Sequence, residues 1–281
     1  MTIPTLDLND GTAIPQLGFG VFQVPAEDTK ATVLQAFEAG YRHIDTAQMY
    51  QNEKGVGQAI AESGLARDEI YVTTKLNNGF HKPEDARRSL DESLELLGLD
   101  RVDLFLIHWP LPTRYDGDYV STWQTMLELR DAGKTTSAGV SNFQPDHLDR
   151  ILKETGQAPV INQIEVHPYF PNDQARQASH RHSALVEAWS PIAQGAVLDD
   201  STLTTIAEEI DRSTAQVALR WHVQRGDIVF PKSVNPKRMQ QNFAIFDFEL
   251  SEDQMTTITG LDRGEDGRRG PNPDEMDVIP D

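Results

Sequence analysis

The chain has 281 residues, and its 25 lysines and arginines stand against 44 aspartates and glutamates, which gives a formal net charge of −19. A negative field of this size repels the phosphates of nucleic acids and anionic membrane surfaces, so we expect neither as a partner. No cysteine occurs, which excludes disulfides, thiolate metal sites and a cysteine nucleophile.

A β-hairpin is predicted at the start of the chain. Short strands at residues 6–8 and 12–14 flank Asn9-Asp10-Gly11, and an Asp-Gly pair between apolar stretches is typical of a tight hairpin turn. The first residues contain neither the basic nor the apolar segment of a secretory signal, and no apolar run approaches the ~20 residues of a membrane span. We therefore expect a cytoplasmic protein without a membrane anchor.

Strand and helix signals alternate along the rest of the chain, starting with a predicted strand at 16–20. The predicted helices lie near residues 26–39, 55–63, 83–97, 120–132, 145–155, 173–182, 201–210, 214–225 and 236–243, with an extra one at 251–259. Eight strand–helix units predict an α/β fold, a (β/α)8 TIM barrel. We expect residues 1–281 to form one domain that ends in an irregular tail from residue 262.

A doubly wound sheet is the main structural alternative. Such sheets usually carry a G-x-G-x-x-G loop after the first strand. Here Gly18 and Gly20 are followed by Gln23 at the place of the third glycine. The missing glycine favours the barrel.

Polar side chains stand at the ends of the predicted strands. In a parallel barrel the carboxyl ends of the strands meet on one face, where the active site lies. We therefore expect one cleft to contain Asp45, Lys75, His108, Ser141, Asn142, Gln163, Trp189 and Lys232.

The chemistry of a general acid is available from one group of these residues: Asp45, Tyr50, Lys75 and His108. A tyrosine is a weak acid at neutral pH, but a nearby ammonium lowers its pKa by favouring the phenolate. Lys75 supplies the ammonium in this interpretation, while Asp45 holds it in place and His108 donates to a carbonyl oxygen. A purely structural ion pair between Asp45 and Lys75 is the alternative that spacing alone leaves open.

Five segments match, in order, the signature sequences of one family. They read GYRHIDTAQMY at 40–50, LIHWP at 106–110, GVSNF at 139–143, NQIEVHP at 162–168 and FPKSV at 230–234. On these motifs the chain resembles the aldo-keto reductases over essentially its whole length. Within the family it looks most similar to the bacterial 2,5-diketo-D-gluconate reductases, which share the Asn-Asp-Gly hairpin and the short loops.

The resemblance implies a barrel that binds NADPH extended across its C-terminal face. The implied catalytic tetrad, with Tyr50 as the acid, is Asp45, Tyr50, Lys75 and His108. The residues implied to hold the nicotinamide end are Ser141, Asn142, Gln163 and Trp189. Those implied around the adenosine 2′-phosphate and the adenine are Lys232, Ser233, Val234, Arg238, Gln241 and Asn242. The implied walls of the substrate pocket are Phe22, Trp109 and Trp189.

Asn77 departs from the family pattern, because close relatives carry an aromatic residue at this position. One wall of the pocket is therefore expected to be smaller and more polar, with Asn77 offering both a donor and an acceptor. A substrate carboxylate would find a cationic partner in Arg268 or Arg269 of the tail if either side chain reaches the mouth of the barrel. Solvated side chains are the alternative.

The remaining histidines carry no metal signature. His81, His147 and His222 are predicted at loop or helix surfaces. His180 and His182 are two residues apart on a predicted helix and so point to different faces. No combination of carboxylates and histidines has the spacing of a metal site.

The predicted function is NADPH-dependent reduction of an aldehyde or ketone by a monomer, with small polar dicarbonyls and keto-sugars such as 2,5-diketo-D-gluconate as substrates. Two alternatives remain, because fold does not fix function. One is a general reductase that detoxifies aldehydes or methylglyoxal. The other is an NADPH-binding redox sensor or regulatory subunit, which would oxidise no NADPH with any carbonyl compound.

Overall fold

The fold begins with the predicted hairpin. A computed structural model describes residues 3–280. In it β1 (Thr5–Asp7) and β2 (Ala13–Pro15) pair antiparallel. The side chain of Asp10 accepts hydrogen bonds from the backbone N–H and the hydroxyl of Thr12, at 3.0 and 2.7 Å. The turn is therefore stabilised by the residue that the sequence pattern indicates.

Eight parallel strands form a barrel in which each strand is bonded to its neighbours in chain order. Hydrogen bonds from Gly18 N to Val229 O (2.8 Å) and from Val229 N to Gln16 O (3.1 Å) join the first strand to the last and close the sheet. The predicted (β/α)8 barrel is confirmed. Its strands are β3 (Phe19–Gly20), β4 (His43–Asp45), β5 (Tyr71–Leu76), β6 (Val102–Ile107), β7 (Thr135–Ser141), β8 (Ile161–Glu165), β9 (Leu185–Trp189) and β10 (Ile228–Val229).

Within residues 3–280, ten α-helices surround or follow the barrel, close to their predicted bounds. Local sequence explains their ends: α1 stops at Gly40, which adopts a φ of +108°, and α8 starts after Ser213, whose hydroxyl accepts from Gln216 N. The helices are α1 (Ala26–Ala39), α2 (Glu53–Glu62), α3 (Pro83–Leu97), α4 (Tyr119–Asp131), α5 (Pro145–Thr155), α6 (Asp173–Arg181), α7 (Ser201–Glu209), α8 (Thr214–Gln224), α9 (Pro236–Phe243) and α10 (Glu252–Thr259).

The hairpin seals the end of the barrel where the strands begin. Leu8 and Ile14 are buried in one cluster with Leu104 of β6. Ser137 Oγ of β7 donates a hydrogen bond to Asp10 Oδ2 at 2.7 Å, which ties the turn to the barrel. A ligand therefore approaches from the opposite face, where the strands end.

The main apolar core lies between the strands and the surrounding helices. Trp123 of α4 and Trp221 of α8 are fully buried there, and burial of large apolar side chains is the main favourable contribution to folding. In the part of the chain that the structure describes, no helix is both long and apolar enough to cross a membrane.

The prediction of surface positions for His81, His147 and His222 is wrong, because all three side chains are buried. His222 shows the reason: its Nδ1 lies 3.2 Å from Asp227 Oδ2 and its Nε2 lies 3.1 Å from the Pro191 carbonyl oxygen. Hydrogen-bond partners make burial of a polar ring tolerable. Periodicity along the helix does not reveal partners of this kind.

Candidate active site

The polar strand ends converge at the mouth of the barrel. Lys75, near the end of β5, is fully buried. Its ammonium donates hydrogen bonds to Asp45 Oδ1 at 2.7 Å and to the Thr46 carbonyl oxygen at 2.8 Å. The hydroxyl of Tyr50 lies 3.4 Å from the same nitrogen. The structure therefore places the predicted ion pair directly beside the predicted acid.

The charge on Lys75 is maintained by its neighbours. Burial by itself lowers the pKa of this ammonium, but the negative charge of Asp45, together with the hydrogen bonds to Asp45 and Tyr50, holds the pKa of Lys75 above its usual value. Burial raises the pKa of Asp45, and the charge of Lys75 offsets part of that rise. Both oxygens of Asp45 accept hydrogen bonds from N–H donors, as a carboxylate can.

Tyr50 ends a short 3-10 turn (Gln48–Tyr50) after β4. Its ring centre lies 5.0 Å from that of Phe22 and 5.7 Å from that of His108. Burial raises the pKa of Tyr50, and the ammonium of Lys75 offsets only part of this rise. The expectation of a lowered pKa is therefore wrong, because removing the phenolate from water outweighs the nearby charge. Tyr50 keeps its proton at neutral pH, as a general acid must.

His108 follows β6 and is a neutral imidazole. Burial first, and then the charge of Lys75, hold the pKa of His108 well below its usual range. A neutral imidazole retains one N–H donor. The ring stands edge-on to Tyr50 at an interplanar angle of 75°, so the two groups border the same space.

A chain of hydrogen bonds fixes the indole of Trp189 beside this space. Trp189 Nε1 donates to Asn142 Oδ1 at 2.9 Å, and Asn142 Nδ2 donates to the His108 carbonyl oxygen at 2.9 Å. Ser141 Oγ donates to the backbone oxygen of Gln163 at 2.8 Å. Asn142 has a φ of +64°, a left-handed conformation that asparagine tolerates well. The four residues expected at the nicotinamide end therefore lie together.

Glu187 is a buried carboxyl group that the sequence motifs did not indicate. Gln163 Nε2 donates hydrogen bonds both to Asp45 Oδ2 at 2.8 Å and to Glu187 Oε2 at 2.9 Å. Burial, and then the charge of Asp45, raise the pKa of Glu187 to about 8. One signal was present in the sequence: Glu187 lies two residues before Trp189, and side chains two apart in a strand share a face.

A second group of predicted residues lies on α9 and the loop before it. Lys232 and Arg238 are exposed, and neither side chain forms an ion pair with an acidic residue among residues 3–280. Asn235 Oδ1 accepts from the backbone N–H groups of Lys237 and Arg238, at 2.9 and 3.3 Å. Two unpaired cations in a chain of net charge −19 form a donor set that suits a phosphate ester. The other predicted residues of this segment are Ser233 and Asn242, which are buried, and Val234 and Gln241, which are exposed.

The C-terminal tail crosses the mouth of the barrel. Buried Glu165, at the end of β8, accepts hydrogen bonds from the backbone N–H groups of Arg269 (2.6 Å) and Gly270 (2.9 Å). At the other side, Asn78 Nδ2 donates to the Val278 carbonyl oxygen at 2.9 Å. The tail therefore spans the opening between the ends of β8 and β5.

The predicted pocket residues differ in how freely they can meet a ligand. Phe22 is 53% exposed, whereas Trp109, next to His108, is 8% exposed. Asn77 is half-buried, and its Oδ1 accepts a hydrogen bond from Gly79 N at 2.9 Å. This contact uses one of the two lone pairs of Oδ1, so Asn77 keeps a second lone pair as well as its Nδ2 donor for a ligand.

Arg268 is held within the tail instead of reaching over the mouth. Its Nε and Nη2 donate to the two oxygens of Glu265 at 2.7 and 3.0 Å, and its guanidinium lies 4.4 Å from the ring centre of Phe170. Arg269 is exposed. Of the two arginines considered for a substrate carboxylate, Arg269 is the one with a solvated side chain.

Comparisons with known proteins agree with this geometry. The model of the aldo/keto reductase family matches residues 16–263. An aldo-keto reductase of Mycolicibacterium smegmatis is 48% identical over 270 residues, which cover 96% of this chain and 97% of the relative. The methylglyoxal reductase DkgA of Escherichia coli is 44% identical over 279 residues, which cover 98% of this chain and 99% of the relative.

Solved structures show the same similarity. A variant of Gox0644 in complex with NADPH superimposes with a TM-score of 0.93 at 42% identity, covering 98% of this chain and 99% of that one. A Bombyx mori aldo-keto reductase in complex with NADP gives a TM-score of 0.89 at 37% identity, covering 96% and 95% of the two chains.

Proposed function

The chain belongs to the aldo/keto reductase family, and on that premise we propose that it reduces small polar dicarbonyls and keto-sugars. It is an NADPH-dependent carbonyl reductase. The observation that carries the reductase chemistry is the buried ammonium of Lys75, 2.7 Å from Asp45 and 3.4 Å from the Tyr50 hydroxyl, beside the neutral ring of His108.

The residues present fit NADPH. Lys232 and Arg238 would hold the 2′-phosphate, since both are exposed cations without acidic partners among residues 3–280. Ser141, Asn142 and Trp189 would hold the nicotinamide end. Gln163, Ser233, Val234, Gln241 and Asn242 complete the proposed cofactor contacts. When bound, NADPH supplies the hydride that reduces the carbonyl carbon.

The side chains of the tetrad supply the proton. The N–H of His108 donates a hydrogen bond to the carbonyl oxygen and orients it toward Tyr50. As negative charge develops on that oxygen, the O–H bond of Tyr50 breaks and a new O–H bond forms on the product. The ammonium of Lys75 stabilises the phenolate that remains, and Asp45 holds Lys75 in place. Acid catalysis of this kind contributes roughly 10²–10⁴-fold to the rate.

The walls of the pocket support small, polar substrates. Phe22, Trp109 and Trp189 offer aromatic faces, which suit planar carbonyls and the C–H faces of sugars. Asn77 replaces an aromatic wall and leaves its Nδ2 free to donate to a substrate oxygen. The tail restricts the opening on the same side, so a bulky apolar ketone is a poor fit.

A four-substrate panel tests this proposal. We expect kcat/KM with NADPH to be highest for methylglyoxal or 2,5-diketo-D-gluconate, lower for a simple aromatic aldehyde and lowest for a steroid ketone. Asn77→Trp should narrow the pocket and increase discrimination among the small substrates. A steroid ketone as the best substrate would contradict the account of the pocket. Turnover of none of the four would favour the redox sensor.

General detoxification of α-dicarbonyls is the second candidate, and the similarity to methylglyoxal reductase DkgA favours it. The sugar acid separates the two candidates, because it carries a carboxylate and methylglyoxal does not. If Arg269 binds that carboxylate, Arg269→Ala should lower kcat/KM for the sugar acid and leave that for methylglyoxal unchanged. Equal effects on both substrates would argue against a carboxylate site on the tail.

We further propose that residues 1–281 form one domain that acts as a monomer in the cytoplasm. A single closed barrel with the hairpin at one end and the tail across the other supports one domain. The net charge of −19 opposes self-association and supports a monomer. Sedimentation equilibrium at moderate salt should give the mass of one chain, and a dimer mass would overturn the monomer.

A further inference from the structure

A second carboxyl group is built into the interior of the barrel next to the tetrad. Glu187 of β9 is fully buried. Its Oε2 accepts a hydrogen bond from Gln163 Nε2 at 2.9 Å, and the same nitrogen donates to Asp45 Oδ2 at 2.8 Å. One amide group therefore bridges two carboxyl groups, and the two contacts determine which way the Gln163 amide faces.

The charges around this bridge do not balance if Glu187 is ionised. Lys75 carries one positive charge, and Asp45 already accounts for it at 2.7 Å. A carboxylate at Glu187 would add a buried negative charge with only a neutral amide as its partner. Such a charge is strongly unfavourable, because buried carboxylates need an opposite charge or several donors.

Among residues 3–280, the elements packed against Glu187 offer no further cation. From β4 the facing groups are Asp45 and His43, whose Nε2 lies 3.9 Å from Glu187 Oε1. Burial first lowers the pKa of His43 to about 3, so that ring is neutral. From β5 the facing groups are Lys75 and Tyr71. Burial first, and then the charge of Glu187, raise the pKa of Tyr71 well above its usual value, so this phenol is neutral.

The remaining neighbours are uncharged. Tyr50, on the turn after β4, keeps its proton, and β8 contributes the neutral amide of Gln163. From β10 the residue paired with Glu187 is Ile228. Glu187 Oε1 has no hydrogen-bond partner among the described residues. Lys75 is therefore the one cation that faces this group within residues 3–280.

We propose that Glu187 is a positioning residue that works as the neutral acid, holding the amide of Gln163, and that its ionisation sets the alkaline limit of the reduction. This inference rests on the proposed function. Ionisation breaks the O–H bond of Glu187 and passes the proton to solvent, and nothing is oxidised or reduced. The Glu187 carboxylate and the Tyr50 phenolate would both depend on the one ammonium of Lys75, so ionisation of Glu187 makes the Tyr50 proton harder to remove and the acid step slows.

The position of that limit follows from the environment of the carboxyl group. Burial, and then Asp45, raise the pKa of Glu187 to about 8, whereas the pKa of Tyr50 lies above that of an ordinary tyrosine. A fall in the reduction rate that begins near pH 8 is therefore assigned to ionisation of Glu187. A fall caused by ionisation of Tyr50 would begin at a higher pH.

Infrared spectroscopy tests the protonation state without any turnover. The wild type near pH 7 should show the C=O stretch of a buried carboxylic acid that disappears as the pH rises through about 8. Glu187→Gln should lack this titration. Glu53→Gln is the matched control, because Glu53 is equally buried but bonds to Thr74 and Ser93 instead of Gln163. Persistence of the titration in Glu187→Gln, or its loss in Glu53→Gln, would overturn the assignment.

Kinetics test the consequence for reduction. Single-turnover rates with saturating NADPH should fall above about pH 8 in the wild type, and in Glu187→Gln this fall should move up by roughly one pH unit or more. Glu53→Gln should keep the wild-type limb. Glu187→Leu is neutral but cannot accept from Gln163, so it should raise the KM for NADPH more than Glu187→Gln does. An unchanged alkaline limb in Glu187→Gln would refute the proposal.

The two readouts separate this inference from the proposed function. If no carbonyl compound is reduced, the proposed function fails while the infrared titration still reports on Glu187. If carbonyl compounds are reduced but Glu187 is already ionised near neutral pH, the inference fails and the proposed function stands.

Discussion

Lys75 and Asp45 form a buried ion pair whose importance is positional. Removing two charges from water costs several kcal/mol per ion, so such a pair is weak evidence for stability. Here it fixes an ammonium 3.4 Å from the Tyr50 hydroxyl. A well-packed apolar pair could replace it without loss of stability, but the phenolate of Tyr50 would then have no cation beside it.

Glu187 gives a prediction on stability at the same scale. The pKa of Glu187 rises from 4.5 in the unfolded chain to about 8 in the fold. Relative to high pH, the protonated Glu187 therefore adds to the free energy of unfolding; this contribution is complete below the lower pKa and is lost as the pH rises through the higher one. Glu187→Gln stays neutral at every pH and so does not lose stability over this range. We expect the gain in unfolding free energy to be about 2 kcal/mol larger at pH 9 than at pH 6.

Urea unfolding of the wild type and Glu187→Gln at both pH values gives this difference directly. Glu38→Gln, on the exposed side of α1, is the control for the loss of one carboxylate and should give the same change at both pH values. A gain for Glu187→Gln that is equal at pH 6 and pH 9 would show that Glu187 is ionised in the fold.

At the scale of elements, α9 and the preceding loop are proposed to select the cofactor. NADH lacks the 2′-phosphate that Lys232 and Arg238 would pair with. Hydrogen bonds to charged groups contribute roughly 1.5–3 kcal/mol each, less at an exposed site, so NADPH should bind about tenfold or more tightly than NADH. Arg238→Ala should weaken NADPH much more than NADH.

Kd values for both cofactors, from quenching of tryptophan fluorescence, measure this preference. Lys153→Ala, which removes an exposed cation on α5, controls for the change in net charge and should leave the ratio as it is. Equal affinity of the wild type for the two cofactors would refute the phosphate site.

The contact of the tail with Trp189 gives a second prediction at the scale of elements, and Gly270 is the residue that tests it. A Cβ atom there would overlap with Trp189 Cη2 and lie 3.3 Å from Glu165 Oε2. Gly270→Ala must therefore displace the tail or the indole. Because small misplacements of positioning groups are costly, we expect kcat/KM for methylglyoxal to fall roughly tenfold or more.

Gly260→Ala is the matched control, since a Cβ at Gly260 meets nothing closer than 3.4 Å. Gly260 lies at the end of α10, and the nearest atoms to a Cβ there are the backbone oxygens of Thr257 and Thr256, not the indole. Its kcat/KM should equal that of the wild type. If both variants lose activity equally, the contact with Trp189 is not the cause.

For the whole molecule, local sequence accounts for most of the architecture. The bounds predicted for α1 and α5, 26–39 and 145–155, agree with the structure, because glycines in left-handed conformations end both helices. The strand ends that carry Asp45, Lys75 and His108 follow from short apolar runs. Parallel topology then brings these residues to one face without further information.

Contacts between distant segments could not be predicted from local sequence. Glu187 looks like a single polar residue in an apolar strand until Gln163 is placed beside it. Glu165 accepts a hydrogen bond from the backbone of Arg269, 104 residues away. The ion pair between Arg268 and Glu265 is local, but it depends on the turn of the tail, which composition does not show. The net direction of the Tyr50 pKa also depended on burial, which outweighs the charge of Lys75.

The central claim is that the Tyr50 hydroxyl supplies the proton for carbonyl reduction. The most direct measurement is the single-turnover rate of NADPH oxidation by methylglyoxal in Tyr50→Phe, with the NADPH Kd determined on the same sample. The account predicts a rate lower by roughly 10²–10⁴-fold and a Kd close to that of the wild type. A Tyr50→Phe protein that reduces methylglyoxal at nearly the wild-type rate would contradict it.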